Sequence, residues 1–174
     1  MVPLKYFNKT EKEKLLRQLN EQFGIEEIPG QIAKFGKERI ILFSKEISEK
    51  DIQVLDKTSR IEGIGVYFAK VDEDNNEIRL SIEGTQLLKN QITKNIFELE
   101  EKQAEQWMMG QEILLDDIKT FPEGGRGGIK KGFFIIKFKD DFLGTGKISE
   151  NKISNFVPKS RRLKYKENKI EELK

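Results

Sequence analysis

The chain has 174 residues, of which 36% are apolar and 36% charged, with no cysteine and no histidine. That length suits one ordinary domain or two small ones, and twelve Phe and one Trp help a lean apolar share build a core. The two missing residue types exclude disulfides, Cys/His zinc sites, Cys nucleophiles and every His-based triad.

The net charge of +2 hides an asymmetry. Residues 1–118 hold 17 Lys and Arg against 23 Asp and Glu, whereas residues 119–169 hold 14 against 5. A basic half on an acidic one points to a polyanion partner. No apolar run reaches the ~18 residues of a membrane span, and Met1-Val2-Pro3-Leu4-Lys5 lacks the apolar stretch of a signal peptide. The absence of cysteine fits a cytoplasmic location, and abundant Lys, Ile and Glu suit a thermophilic archaeon.

In chain order, Thr10 and Glu13 form a T-x-x-E capping box, so a helix is expected over 10–23. It carries Leu16, Leu19 and Phe23 on one face and stops at Gly24. Two strands, 32–35 and 39–43, flank a turn at Gly36. Ser48 and Asp51 open a short helix with Ile52 and Leu55. A hairpin follows, with Ile64, Val66 and Phe68 alternating on one strand and Ile78, Leu80 and Ile82 on the other. Its acidic turn, 72–77, fails as a calcium loop because Glu77 stands where Gly is needed. Another short helix is expected over 83–90. The polar stretch 91–94 reads as a linker. A helix over 98–109 then turns Ala104, Trp107 and Met108 inward, with Trp107 a core residue, and Gly110 ends it. The glycine-rich segment 122–132 holds Arg126, Lys130 and Lys131. Strands are expected over 133–138, 142–148 and 153–157, with a last one over 161–165 and a helical tail beyond. No internal repeat is present.

Three stretches could carry function. Gly144-Thr145-Gly146-Lys147 is no phosphate loop, since Asp141 replaces the first required Gly and Ile148 the Ser or Thr. In a strand its two glycines bare one face to a neighbouring backbone, with Lys147 beside it. The run from Asn155 to Lys166 packs Lys159, Arg161, Arg162, Lys164 and Lys166 between Phe156 and Tyr165. Cations contact phosphates and aromatic faces stack unpaired bases. An extended backbone there would put Arg162, Lys164 and Lys166 on one face, opposite Arg161, Leu163 and Tyr165. Gly124-Gly125-Arg126-Gly127-Gly128 is a single RGG-like patch. The pairs Asp116/Asp117 and Asp140/Asp141 are too close in sequence for acid–base partnership, so neither an enzyme nor a cofactor is expected.

Gly132-Phe133-Phe134-Ile135-Ile136, Leu143-Gly144-Thr145-Gly146-Lys147 and Asn155-Phe156-Val157-Pro158-Lys159 with Arg161-Arg162 together resemble a PUA-like RNA-binding domain. The similarity is to the C-terminal domain of Sun/Fmu-type RNA cytosine-5 methyltransferases, and Trp107-Met108-Met109-Gly110-Gln111-Glu112 is similar to that family's helix and its following Gly-x-Glu. The resemblance covers roughly residues 92–166. Gly63 to Lys70 and Ile78 to Ile82, after an opening helix, resemble the front of a small two-domain ribosome-biogenesis family of eukaryotes and archaea. The methyltransferase's catalytic domain, with its cofactor loop and Cys nucleophile, has no counterpart here.

The expectation is thus an α+β protein, with a small N-terminal α/β domain (1–91) followed by a PUA-like mixed β-barrel (92–174). The resemblance implies a non-catalytic protein binding rRNA or pre-rRNA, with tRNA as a further candidate. Lys147, Lys159, Arg161, Arg162, Lys164 and Lys166, with Arg126, Lys130 and Lys131 of the glycine-rich segment, are the expected RNA contacts. The acidic N-terminal part is expected to meet a protein partner. The alternatives are an accessory subunit of a separate RNA methyltransferase, an enzyme of another kind, and a protein-interaction module without RNA affinity.

Overall fold

In the computed structural model, residues 4–44, 47–58, 64–72, 77–118, 121 and 130–164 are described. The chain is α+β, with two five-stranded sheets. Strand β1 (Leu4–Tyr6) is followed by helix α1 (Lys9–Phe23), β2 (Gln31–Phe35), β3 (Arg39–Phe43), α2 (Glu49–Thr58), β4 (Val66–Asp72), β5 (Glu77–Leu80) and α3 (Ile82–Leu87). Then come β6 (Ile96–Glu98), α4 (Glu101–Met108), β7 (Ile113–Leu114), β8 (Gly132–Phe138), β9 (Asp141–Ile148) and β10 (Lys152–Ser154). Single 3-10 turns occupy Leu115–Asp117 and Lys159–Arg161.

The first sheet is an antiparallel meander, β1-β2-β3-β4-β5. Helix α1 covers one face with Leu15, Leu19 and Phe23, all buried at helical spacing. Its capping box forms two residues before the expected one. The Asn8 side chain accepts from the Glu11 N–H at 2.9 Å, and Glu11 Oε2 accepts from the Asn8 N–H at 3.0 Å. Lys5 of β1 also holds Glu11, at 2.7 Å, which fixes the helix start to the sheet. The Ser48–Asp51 bond opens α2 and Ile52 is buried, as expected. The side chain of Leu55 lies outside the described residues.

The hairpin β4–β5 forms, but its expected alternation breaks. Ile40 pairs with Ala69 and Ile41 with Tyr67, so Phe68 is an extra residue on β4. This bulge turns Phe68 inward and leaves Val66 exposed. Ile82 opens α3 rather than extending β5, because Ser81 caps the helix: its hydroxyl accepts from the Gly84 N–H at 2.9 Å.

The polar stretch expected as a linker serves the C-terminus of α1. The Thr93 and Lys94 amides donate to Phe23 O, Asn95 Nδ2 donates to Gln22 O and Lys94 Nζ to Asn20 O. These partners satisfy carbonyls that a helix end leaves open. Gln91 Oε1 accepts from the amides of Glu26 and Glu27.

The second sheet runs β6-β8-β9-β10-β7, parallel only between β6 and β8. It curls, because Phe97, Phe134, Ile136, Ile148, Ile153 and Ile113 from all five strands meet one fully buried side chain, Trp107 of α4. Helix α4 starts at Glu101, three residues later than expected, since Ile96–Glu98 is drawn into β6. A second cluster joins the sheets, with Phe133, Ile135 and Phe142 packing among the α1 and first-sheet residues. Polar ties reinforce it. The buried Thr145 hydroxyl donates to Leu80 O at 2.9 Å, and Gln86 Nε2 donates to Phe142 O at 2.9 Å.

Candidate nucleic-acid interface

The two glycines of β9 leave one face bare, and the backbone and side chain of Ile82 approach it at Gly144 while side chains alone fill it at Gly146. A methyl at Gly144 would meet Ile82 Cγ1 at 3.1 Å, and one at Gly146 would meet Ile153 and Trp107 within 2.9 Å. Trp107 Nε1 donates to Leu143 O at 3.0 Å beside them. Lys147 does not stand beside this bare face. Its ammonium lies 5.0 Å from the centre of the Phe133 ring, 3.8 Å from Asp72 and 4.0 Å from Glu77, so it binds the second sheet to the first hairpin.

The basic C-terminal run also differs from expectation. Strand β10 ends at Ser154, and Asn155 Nδ2 then donates to Trp107 O and Gln111 O. After the 3-10 turn the chain is extended but pairs with no strand among the described residues. Instead it straps over the end of α4, where the Leu163 amide donates to Met108 O at 2.9 Å. The expected division of faces therefore fails. Arg162 turns inward and its Nε donates to Val157 O at 3.0 Å, while Leu163 is 54% exposed.

The nine expected cations thus separate. Lys130, Lys159 and Lys164 are exposed. Lys131 donates to Glu150 at 2.8 Å, and this bond, with the charge of the ammonium, holds the Glu150 carboxyl below the usual carboxylate range. Arg161 pairs with Glu83 of α3. Lys147 and Arg162 are engaged as described. Arg126 and Lys166 lie outside the described residues, as do Tyr165, most of the glycine-rich segment, the tail and the centre of the acidic turn at 73–76.

Arg161 lines a cleft of about 780 Å³ between the first sheet and the C-terminal strap. Phe156, Pro158 and Ser160 line it too, and so do Lys37, Arg39, Lys70 and Arg79 from the first sheet and its β2–β3 turn. Five cations thus face two carboxylates, Glu38 and Glu83. Glu38 pairs with Lys70. Phe156 does not offer a free ring face, because Arg79 lies over it at 4.3 Å while Phe133 tilts against it at 6.0 Å. Sequence reasoning missed Lys37, Arg39, Lys70 and Arg79 because they sit singly in an acidic half. Only Arg79 carried a signal, as the polar member between buried Ile78 and Leu80 of β5; Lys37 lies in the turn between β2 and β3, and Arg39 and Lys70 interrupt no alternation. Among the described residues no cluster of three acidic side chains could hold a metal ion, and no helix is long and apolar enough to cross a membrane.

Residues 94–163 match the family described as the methyltransferase RsmF PUA domain. The match begins just before β6 and ends at Leu163 in the strap, so this stretch is a PUA-like domain similar to the C-terminal domain of Sun/Fmu-type enzymes. No curated protein matches the chain.

Proposed function

We propose, from a PUA-like domain at residues 94–163, that the chain is a non-catalytic RNA-binding protein of the cytoplasm acting on rRNA or its precursors. The carrying observation is that this domain ends in a strap whose Arg161 and Phe156 line a cation-rich cleft. Exposed Lys159 and Lys164 extend the positive surface along the strap. Lys and Arg in such a groove supply phosphate contacts and counterion release. The rRNA assignment rests on the resemblance to two-domain ribosome-biogenesis proteins, and the division at 91/92 rests on the polar stretch 91–94 and on the extent of the PUA resemblance, roughly 92–166. The matched family's description favours one second reading, an RNA-presenting subunit for a separate methyltransferase.

The test is fluorescence anisotropy of a labelled unpaired RNA across a salt series. About four phosphate contacts give a slope near ~ −3 in log affinity against log salt. Lys159→Glu with Lys164→Glu should weaken binding and flatten the slope. No binding at low salt would overturn the reading in favour of a protein-interaction module. RNA affinity that emerges only beside a co-purifying methyltransferase would establish the subunit reading instead.

A further inference from the structure

The first sheet carries a row of like charges. Arg39 of β3 lies directly opposite Lys70 of β4, and Lys70 directly opposite Arg79 of β5. Phe35 of β2 lies opposite Arg39 and continues the row. All four line the cleft. Like charges directly opposite on neighbouring strands destabilise a sheet, and only Lys70 has a carboxylate partner, Glu38, among the described residues. Both arginines stand over aromatic rings instead. The Arg39 guanidinium carbon lies 5.9 Å from the centre of Tyr67, and that of Arg79 lies 4.3 Å from Phe156.

We propose that this row is a platform for an unpaired RNA strand, which lies across the first sheet and under the C-terminal strap, with bases stacked on the outer faces of Arg39 and Arg79. The inference rests on the RNA-binding reading and extends the site into a part of the chain beyond residues 94–163. A guanidinium stacked on a ring has one face covered and the other open, while its N–H edges still reach phosphate oxygens. Unpaired bases are recognised by such planes, whereas bases within a duplex are stacked on one another. A strand of phosphates over the row also removes the repulsion between its three cations. A protein partner fits less well. Seven charged side chains line the cleft, Lys37, Glu38, Arg39, Lys70, Arg79, Glu83 and Arg161, and the core of a protein interface is depleted of charged residues.

The test uses the full chain and two labelled probes, an unpaired oligouridylate and the same backbone with abasic sugars. Arg39→Lys with Arg79→Lys keeps both charges and removes both planes. The double variant should bind the base-bearing probe about tenfold more weakly than wild type, lose at most about twofold on the abasic probe, whose phosphates see the same charges, and melt at the wild-type temperature. Equal losses on the two probes, or none, would overturn the platform and leave RNA binding standing. Failure of wild type to bind either probe would overturn both readings. Displacement of the RNA by a polyglutamate peptide of equal charge, with equal potency, would also overturn the platform and assign the cleft to an acidic protein.

Discussion

The Arg162 side chain lies directly across the α-carbon of Gly110, so closely that a methyl there would stand 2.2 Å from its Nε. Gly110 also has φ of +85°, which L side chains resist. This contact and the bond from the Leu163 amide to Met108 O seat the strap that carries Arg161 and Lys164 on the end of α4. Gly110→Ala should therefore destabilise the fold by about 2 kcal/mol and release the strap. A lowered melting temperature, with faster hydrogen exchange at the Leu163 amide, would check it. Arg162→Ala removes the bond to Val157 O without backbone strain and should cost about 1 kcal/mol.

That contact also marks the limit of what the sequence reveals. Gly110 as a helix stop and Trp107 as a core residue were legible, because a glycine after an apolar helical face and a lone tryptophan within it have few structural uses. The strands β8 and β9 were legible from their apolar runs and the turn between them. The strap was not, since Arg161 to Tyr165 alternates as a strand would while its backbone partner, Met108 O, is 55 positions away. The cleft was hidden for a related reason. Arg39, Lys70 and Arg79 become neighbours only through strand register, and charge summed over residues 1–118 averages them away among acidic side chains.

Trp107 joins α4 to β9 through one hydrogen bond as well as through packing. Its Nε1 donates to Leu143 O, and its ring tip fills the space left by Gly146. Trp107→Phe should cost about 1–3 kcal/mol, from an unmade buried hydrogen bond plus a partial cavity. Urea denaturation should report it as a lowered midpoint with an unchanged slope.

Thr145 tests how the two sheets hold together. Its hydroxyl is buried and donates to Leu80 O at 2.9 Å. Thr145→Val keeps the shape and strands that carbonyl, and the expected loss is about 1–3 kcal/mol. One cooperative transition that shifts as a whole is the expected outcome. If the two sheets instead melted separately, the shared cluster containing Phe133, Ile135 and Phe142 would carry no cooperativity.

The Lys5–Glu11 pair gives a pH-dependent signature. The Lys5 hydrogen bond, then the Asn8 amide, holds the Glu11 carboxyl below the ordinary glutamate value. A depressed folded-state value means that the carboxylate supports the fold above its unfolded value, and that support fades as pH falls through the folded one. Nuclear magnetic resonance titration should place Glu11 below free glutamate, and Lys5→Ala should bring it back up. The first-turn amides of α1 should exchange faster once Glu11 is protonated.

Glu83 bears most directly on RNA. It pairs with Arg161 at the mouth of the cleft, so it competes with any phosphate for that guanidinium. The pair is partly exposed and contributes little to stability, so Glu83→Gln should leave the melting temperature nearly unchanged. It should nonetheless tighten RNA binding, because Arg161 is freed and one repulsive charge leaves the cleft. A phosphate gained at Arg161 adds about −0.7 to the salt slope for a single strand. Tighter binding with a steeper slope would place Arg161 on the RNA. An unchanged slope would make the Arg161–Glu83 pair a purely structural link between the strap and α3.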